Sequence, residues 1–248
     1  MGQSSFGVGF LFAIPTGSNP TPTRFGALQD VSVDFSFDQK QLYGSNQFAL
    51  EQGRGKAKID IKATIGRIDP ALFNNIYFGG SLTTGEKLGS VDEAGTVPGS
   101  STYTITVANS ANFAVDLGVY DTVTGLWLSR VASSPAAGQY SVAAGVYTFN
   151  SGAANHAVRI SYTYSSGSTG QTLAYTNQPM GSNVIFSLQL VESFTGTAGK
   201  KSLALNFPAV QANKLSVPLK LDDFTMPQID MSAQDDGSGN VFTYTMTG

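Results

Sequence analysis

A chain of 248 residues with 14 basic and 17 acidic side chains, net charge −3, lacks the basic surplus that proteins use to neutralise nucleic-acid phosphates. The absence of cysteine excludes disulfides and thiolate chemistry, and one histidine cannot build a zinc site. Hydrophobic residues at 41% can bury a sizeable core, while 28 glycines and only 12% charged residues, against about 25% in ordinary domains, point to many strands joined by turns.

The chain opens MGQSSFGVGFLFAIP. This apolar run has no basic n-region and is far too short to span a bilayer, so it reads as a protein made without an export signal and without membrane binding. Phe6 occupies the place where a myristoylation pattern needs Ser or Thr.

DVSVDFSFD follows, with Val31, Val33, Phe35 and Phe37 on one face and Asp30, Asp34 and Asp38 on the other. GRGKAKIDIKATIGRI, Gly53–Ile68, holds five of the fourteen basic residues. It alternates too: Ala57, Ile59, Ile61, Ala63 and Ile65 against Lys56, Lys58, Asp60, Lys62 and Thr64. Period-2 alternation is the mark of a half-buried strand. An antiparallel hairpin centred near Asn46 predicts Asp38 opposite Arg54, Asp34 opposite Lys58 and Asp30 opposite Lys62. Each such pair contributes about 0.2–1 kcal/mol. The basic stripe then has an acidic partner stripe, and a nucleic-acid track is the weaker reading.

The connection QKQLYGSNQFALEQG is expected to be a long loop, Gln39–Gly53, carrying Leu42, Tyr43, Phe48 and Leu50. Four large apolar groups on a loop need a cover, and another subunit is favoured over the loop's own domain. In IDPALFNNIYFGG, Asp69 caps a short helix, Pro70 takes its first position, and Gly79 or Gly80 ends it.

Residues 95–180 change character, with Asp116, Asp121, Arg130 and Arg159 as their formal charges. TYTITV, AVDLGVYD, LWLSRV, GQYSV, GVYTF and AVRISYTY are short strand candidates separated by turns. They predict a small antiparallel sandwich or barrel inserted into a host domain, the alternative being that these strands belong to one continuous sheet system. The host pattern resumes in NVIFSLQLVESF, KKSLALNFPAVQ and NKLSVPLKLDDF. In the last, Leu215, Val217, Leu219 and Leu221 share a face and Pro218 suits an edge strand. MPQIDMSAQDDGSGNVFTYTMTG reads as a closing hairpin around DDGSGN. The expected organisation is 1–92 and 181–248 as a core interrupted by 93–180.

A search for chemistry points away from an enzyme and away from any cofactor or metal. His156 has no nucleophile-elbow or oxyanion motif with it and reads as a turn or surface residue. Asp235, Asp236 and Asn240 lack calcium-loop spacing and read as a turn. GTAGKKS lacks the spacing of a phosphate loop. Trp127 stacks a sugar or simply packs, and Tyr140, Tyr147, Tyr162 and Tyr164 are expected to pack between sheets.

The order of DVSVDFSFDQK, GRGKAKIDIKATIG, DPALFNNIYFG, paired strands and LKLDDFTMPQIDMSAQDDGSGNVFTYTMTG resembles the tail tube proteins of tailed bacteriophages. SPAAGQYSVAAGVYTFNSGAANHAVRISYTY is similar to a module of phage virion structural proteins. The resemblance spans roughly 25–80, 183–248 and, for the insert, 95–165. It implies an all-β fold: a tail-tube-like β-sandwich or barrel with one short helix and an inserted small β-sandwich. It also implies a protein made in the host cytoplasm and located in the virion tail, where homohexameric rings stack into a tube through which DNA passes without specific binding. Partners would be the chain itself and tail proteins such as tape measure, terminator, baseplate or sheath. The Gln39–Gly53 loop and an arm over Met1–Arg24 would bridge rings, and the insert would project outward. A capsid decoration or fibre protein, and a carbohydrate-binding module, remain open alternatives.

Overall fold

A computed structural model describes residues 7–196 and 199–246. The protein is all-β with one short helix. In chain order the elements begin with β1 (Phe10–Pro15), β2 (Thr23–Arg24), β3 (Leu28–Tyr43), β4 (Ala49–Ile65) and α1 (Pro70–Phe73). Then come β5 (Ser81–Thr96), β6 (Thr104–Thr106), β7 (Phe113–Asp121), β8 (Leu126–Trp127), β9 (Ser129–Arg130), β10 (Gln139–Ala143), β11 (Val146–Phe149) and β12 (Ala157–Ala174). The last four are β13 (Ile185–Gly196), β14 (Gly199–Ser216), β15 (Gln228–Ala233) and β16 (Thr243–Met246).

These elements form two compact units: Thr83–Thr172, and the segments that flank it. The boundaries differ from 92 and 180 because β5 and β12 are long strands. They pair with each other and carry the chain into and out of the inserted unit.

The flanking unit is one eight-stranded sheet in the order β2-β1-β13-β14-β15-β4-β3, with β16 on β14. Its core takes the inward residues of each strand, including Leu11, Ile61, Ile65, Phe186, Leu188, Phe207 and Ile229. The period-2 pattern that predicts β4 and β13 therefore also selects the buried face. β14 changes partners along its length: β16 pairs with Leu203–Asn206, and β15 with Val210–Ser216. Pro208 lies between, where the β13 register slips so that Ser187 faces two residues. A proline cannot donate to a ladder, so a bulge is where a strand tolerates one.

The helix follows expectation at both ends. Asp69 Oδ1 accepts from Ala71 N at 2.9 Å and Leu72 N at 3.2 Å, Pro70 opens it, and Gly79 at φ 60° closes it. Its second half, Asn74–Phe78, widens into a π-helical turn. Leu72, Phe73 and Ile76 pack into the core.

The Thr83–Thr172 unit is a sandwich of two four-stranded sheets, β6-β11-β10-β9 and β5-β12-β7-β8. Its core joins Val119, Val158, Ile160 and Tyr162 of one sheet to Tyr140, Tyr147 and Phe149 of the other.

Three local expectations are corrected. Leu219 and Leu221 do not continue a strand: β14 stops at Ser216, before Pro218, and 217–227 is irregular. β15 and β16 do not form a hairpin, since each pairs with β14 instead. The DDGSGN loop is held by its own carboxylates, Asp235 accepting from Gly237 N and Asp236 from Ser238 N. Of the expected N-terminal arm, 10–15 and 23–24 are strands of the sheet, and 1–6 lie outside the described residues.

Candidate interaction surface

β3 and β4 pair along almost their whole length, and the turn between them spans only residues 44–48. The expected Gln39–Gly53 loop is therefore strand. The hairpin centre at Asn46 holds at the tip, where Tyr43 faces Ala49. Register shifts at Leu42/Tyr43 and Phe37/Gln39 then advance the pairing by one residue each. Bulges of this kind leave an extra residue unpaired on one strand and increase the local twist.

Those shifts overturn the three charge pairs. Arg54 lies opposite Gln39, Lys58 opposite Ser36 and Lys62 opposite Ser32, while Asp30 faces Thr64 and Asp34 faces Asp60. Asp38 sits at the bulge beside Gly55, where a Cβ would come within 3.3 Å of the Asp38 carbonyl. The charges find other neighbours. Lys58 Nζ reaches Asp60 on its own strand at 2.8 Å. On the other side of β4, Lys62 stands opposite Asp230, which in turn stands opposite Lys214. Sequence reasoning missed β15 as the second neighbour of β4, because nothing local to either segment records that pairing.

β15 covers β4 only over Ile59–Thr64. Beyond that point the hairpin is a two-stranded ribbon with both faces in solvent, from Asp34 to Tyr43 and from Leu50 to Lys58. Phe35 and Phe37 were expected in the core, yet each is about half exposed because the core ends beneath them. Phe35 touches Phe242 at 5.0 Å between ring centroids, and the Arg54 guanidinium lies 4.8 Å over Phe37. Nearer the tip, Leu42 and Tyr43 are each 58% exposed, Leu50 66% and Phe48 85%. Tyr43 donates to the Gln41 carboxamide. The structure thus gathers Leu42, Tyr43, Phe48 and Leu50 at one end of a ribbon. β3 is also the last strand of the sheet, with no partner on its outer side among the described residues.

The titratable clusters lie in the inserted unit and are structural in geometry. Asp116, 3% exposed at its side chain, accepts from Tyr140 Oη at 2.7 Å, Tyr147 Oη at 2.9 Å and Gly118 N at 3.1 Å. Arg130 lies 3.6 Å away. Burial first, and then the hydrogen bond to Asp116, push both tyrosine hydroxyls far above their ordinary pKa. Tyr162 donates to Glu93 Oε2 at 2.6 Å, and Glu93 Oε1 accepts from Ala108 N. The expected packing of tyrosines between sheets is thus joined by carboxylates aimed at their hydroxyls. Tyrosine and acid positions are visible in a sequence, but not their convergence.

His156 is more than a surface turn residue. Its Nδ1 is 2.7 Å from Asp121 Oδ2, and Asp121 also accepts from Val123 N and Thr124 N. Burial raises the Asp121 carboxyl, but these bonds outweigh it and hold the pKa below the ordinary carboxylate value. Trp127 is exposed on the sandwich and tilts against Tyr120 at 5.4 Å. Among the described residues no group of three or more His, Asp and Glu side chains is placed to hold a metal ion, and no helix is long and apolar enough to cross a membrane.

No protein-family model matches the chain, and no curated protein sequence matches it.

Proposed function

We propose that this chain is a structural subunit of a phage tail tube, in which protomers join into hexameric rings and rings stack into a conduit for DNA. The observation that carries this reading is the β3–β4 ribbon. A sixteen-residue terminal strand with exposed Phe35, Phe37, Leu42 and Tyr43 is the kind of edge that isolated proteins normally shorten, charge or cover. Such an edge suits addition of a strand from a second copy. Head-to-tail stacking of one ring on the next is a heterologous contact that does not close on itself, and so builds a filament. The inserted sandwich has its own core, distinct from that of the flanking unit. The net charge of −3 suits a lumen that lets DNA slide rather than bind.

Negative-stain electron microscopy of the concentrated protein tests this. Hollow filaments with a ring repeat are expected. Sedimentation as a monomer or a closed trimer at the same concentration would favour the capsid-decoration or carbohydrate-module readings instead.

A further inference from the structure

The flanking unit carries a second surface that ring assembly does not explain. Behind the helix, a cavity of about 410 Å3 opens between Tyr77, Phe78, Tyr175, Gln178, Asn183 and Gln211. A second cavity, of about 320 Å3, adjoins it and shares Gly79, Asn183 and Val184 with it, adding Thr16, Asn74 and Asn75. Together they make one elongated cleft. Gly79 is the saddle between its halves: a side chain there would meet Val184 Cγ2 at 2.8 Å.

The chemistry of the cleft is specific. No Asp, Glu, Lys, Arg or His lines either half. Carboxamides line both, and each offers paired donors and acceptors. Among the described residues the side chains of Asn183, Gln211 and Ser182 have no hydrogen-bond partner, although Gln211 is half-buried. By contrast Asn75 donates to Thr23 and Asn213 to Ser232, so part of the rim is already fixed in place. One wall is aromatic. Phe78 packs edge-on against Tyr77 at 5.0 Å and against Tyr175 at 5.5 Å, leaving the Tyr175 ring 53% exposed beside the opening.

We infer that this cleft binds a linear, uncharged oligosaccharide. Sugar rings present an apolar C–H face to an aromatic ring and a rim of hydroxyls that both donate and accept. Carboxamides match that rim, and an uncharged lining matches a ligand without phosphate or carboxylate. Binding pockets in general combine aromatic walls with a few placed polar groups, and cavities of about 300–1,000 Å3 are the usual size for small ligands. A charged ligand would meet no counter-charge here, and an apolar one would leave the carboxamides unpaired.

Saturation-transfer NMR on the purified full chain tests the inference, with maltotriose, cellotriose and the trimer of N-acetylglucosamine as probes. Transfer to the ring protons of at least one of them is expected. Tyr175→Ala should weaken it about tenfold, the upper end of an aromatic stacking contribution. Asn183→Ala, a change on an exposed residue, should weaken it comparably, and Trp127→Ala should leave it intact. Absence of transfer with all three sugars would overturn the inference. So would transfer that survives both cleft substitutions but is lost with Trp127→Ala. Transfer that fades as protein concentration rises would assign the cleft to a second copy of the chain and overturn it equally.

Discussion

Asp34 faces Asp60 across the β3–β4 ribbon, a like-charge pair directly opposite on neighbouring strands. Charge matching alone would have put Lys58 there. Lys58 instead relieves the repulsion from the side, at 2.8 Å from Asp60. Register in this hairpin is set by the turn and two bulges, together with the inward row Val31, Val33, Ile59, Ile61 and Ala63. An exposed ion pair contributes too little to overrule them.

Asp34→Asn distinguishes the two registers. With Asp60 opposite, removing the charge should raise stability by about 0.2–0.5 kcal/mol. With Lys58 opposite, it would lower stability. Urea unfolding followed by far-UV circular dichroism gives the sign.

Tyr43→Ser with Phe48→Ser tests the ribbon tip. Both side chains are largely in solvent, so the protomer should keep its fold and melting temperature within a degree or two. Filament yield and length should fall sharply if the tip docks on another copy. Unchanged filaments would remove the tip from the assembly contact.

Asp116→Asn tests the tyrosine network of the inserted unit. The substitution keeps the shape but removes the charged acceptor shared by Tyr140 and Tyr147. Hydrogen bonds to a charged partner contribute about 1.5–3 kcal/mol, so a loss of about 2–3 kcal/mol is expected. Trp127 is the single tryptophan and lies in this unit, so its fluorescence reports this transition alone.

Asp121 gives the same unit an acid dependence. Its folded-state pKa lies below the ordinary carboxylate value, so the folded chain binds fewer protons there than the unfolded chain. The stability it contributes is complete above the ordinary carboxylate range and is lost as pH falls through the lowered folded value. Asp121→Asn should flatten the acid limb of a stability-against-pH curve read by Trp127 fluorescence, and should free the His156 ring.

Replacing 83–172 by a short Gly/Ser bridge should leave the flanking unit folded. Thr83 Oγ1 donates to Thr172 O at 3.3 Å, so the cut ends are already adjacent. Retention of the far-UV strand signal and of a cooperative melt is expected. Collapse to an unfolded chain would mean that the two units share one core.

Much of this protein was legible from residues alone, because the evidence for it is local. Alternation marks β3, β4 and β13, and Asp69-Pro70 with Gly79 brackets the helix. The fall in charge after residue 95 marks the inserted sandwich. Leu42, Tyr43, Phe48 and Leu50 stand out as apolar groups near a turn. What only the tertiary structure decided depends on strands distant in sequence. β15 enters beside β4 and takes over its charge matching, and Pro208 hands β14 from β16 to β15. A single carboxylate, Asp116, 24 residues from Tyr140 and 31 from Tyr147, accepts from both of their hydroxyls. The loop reading of Gln39–Gly53 fails because a ribbon freed from the core no longer needs an alternating pattern to remain a strand. Backbone pairing extends it without a buried face. Side-chain periodicity reports which residues face a core, and it is silent both about which strand lies alongside and about a strand that faces only water.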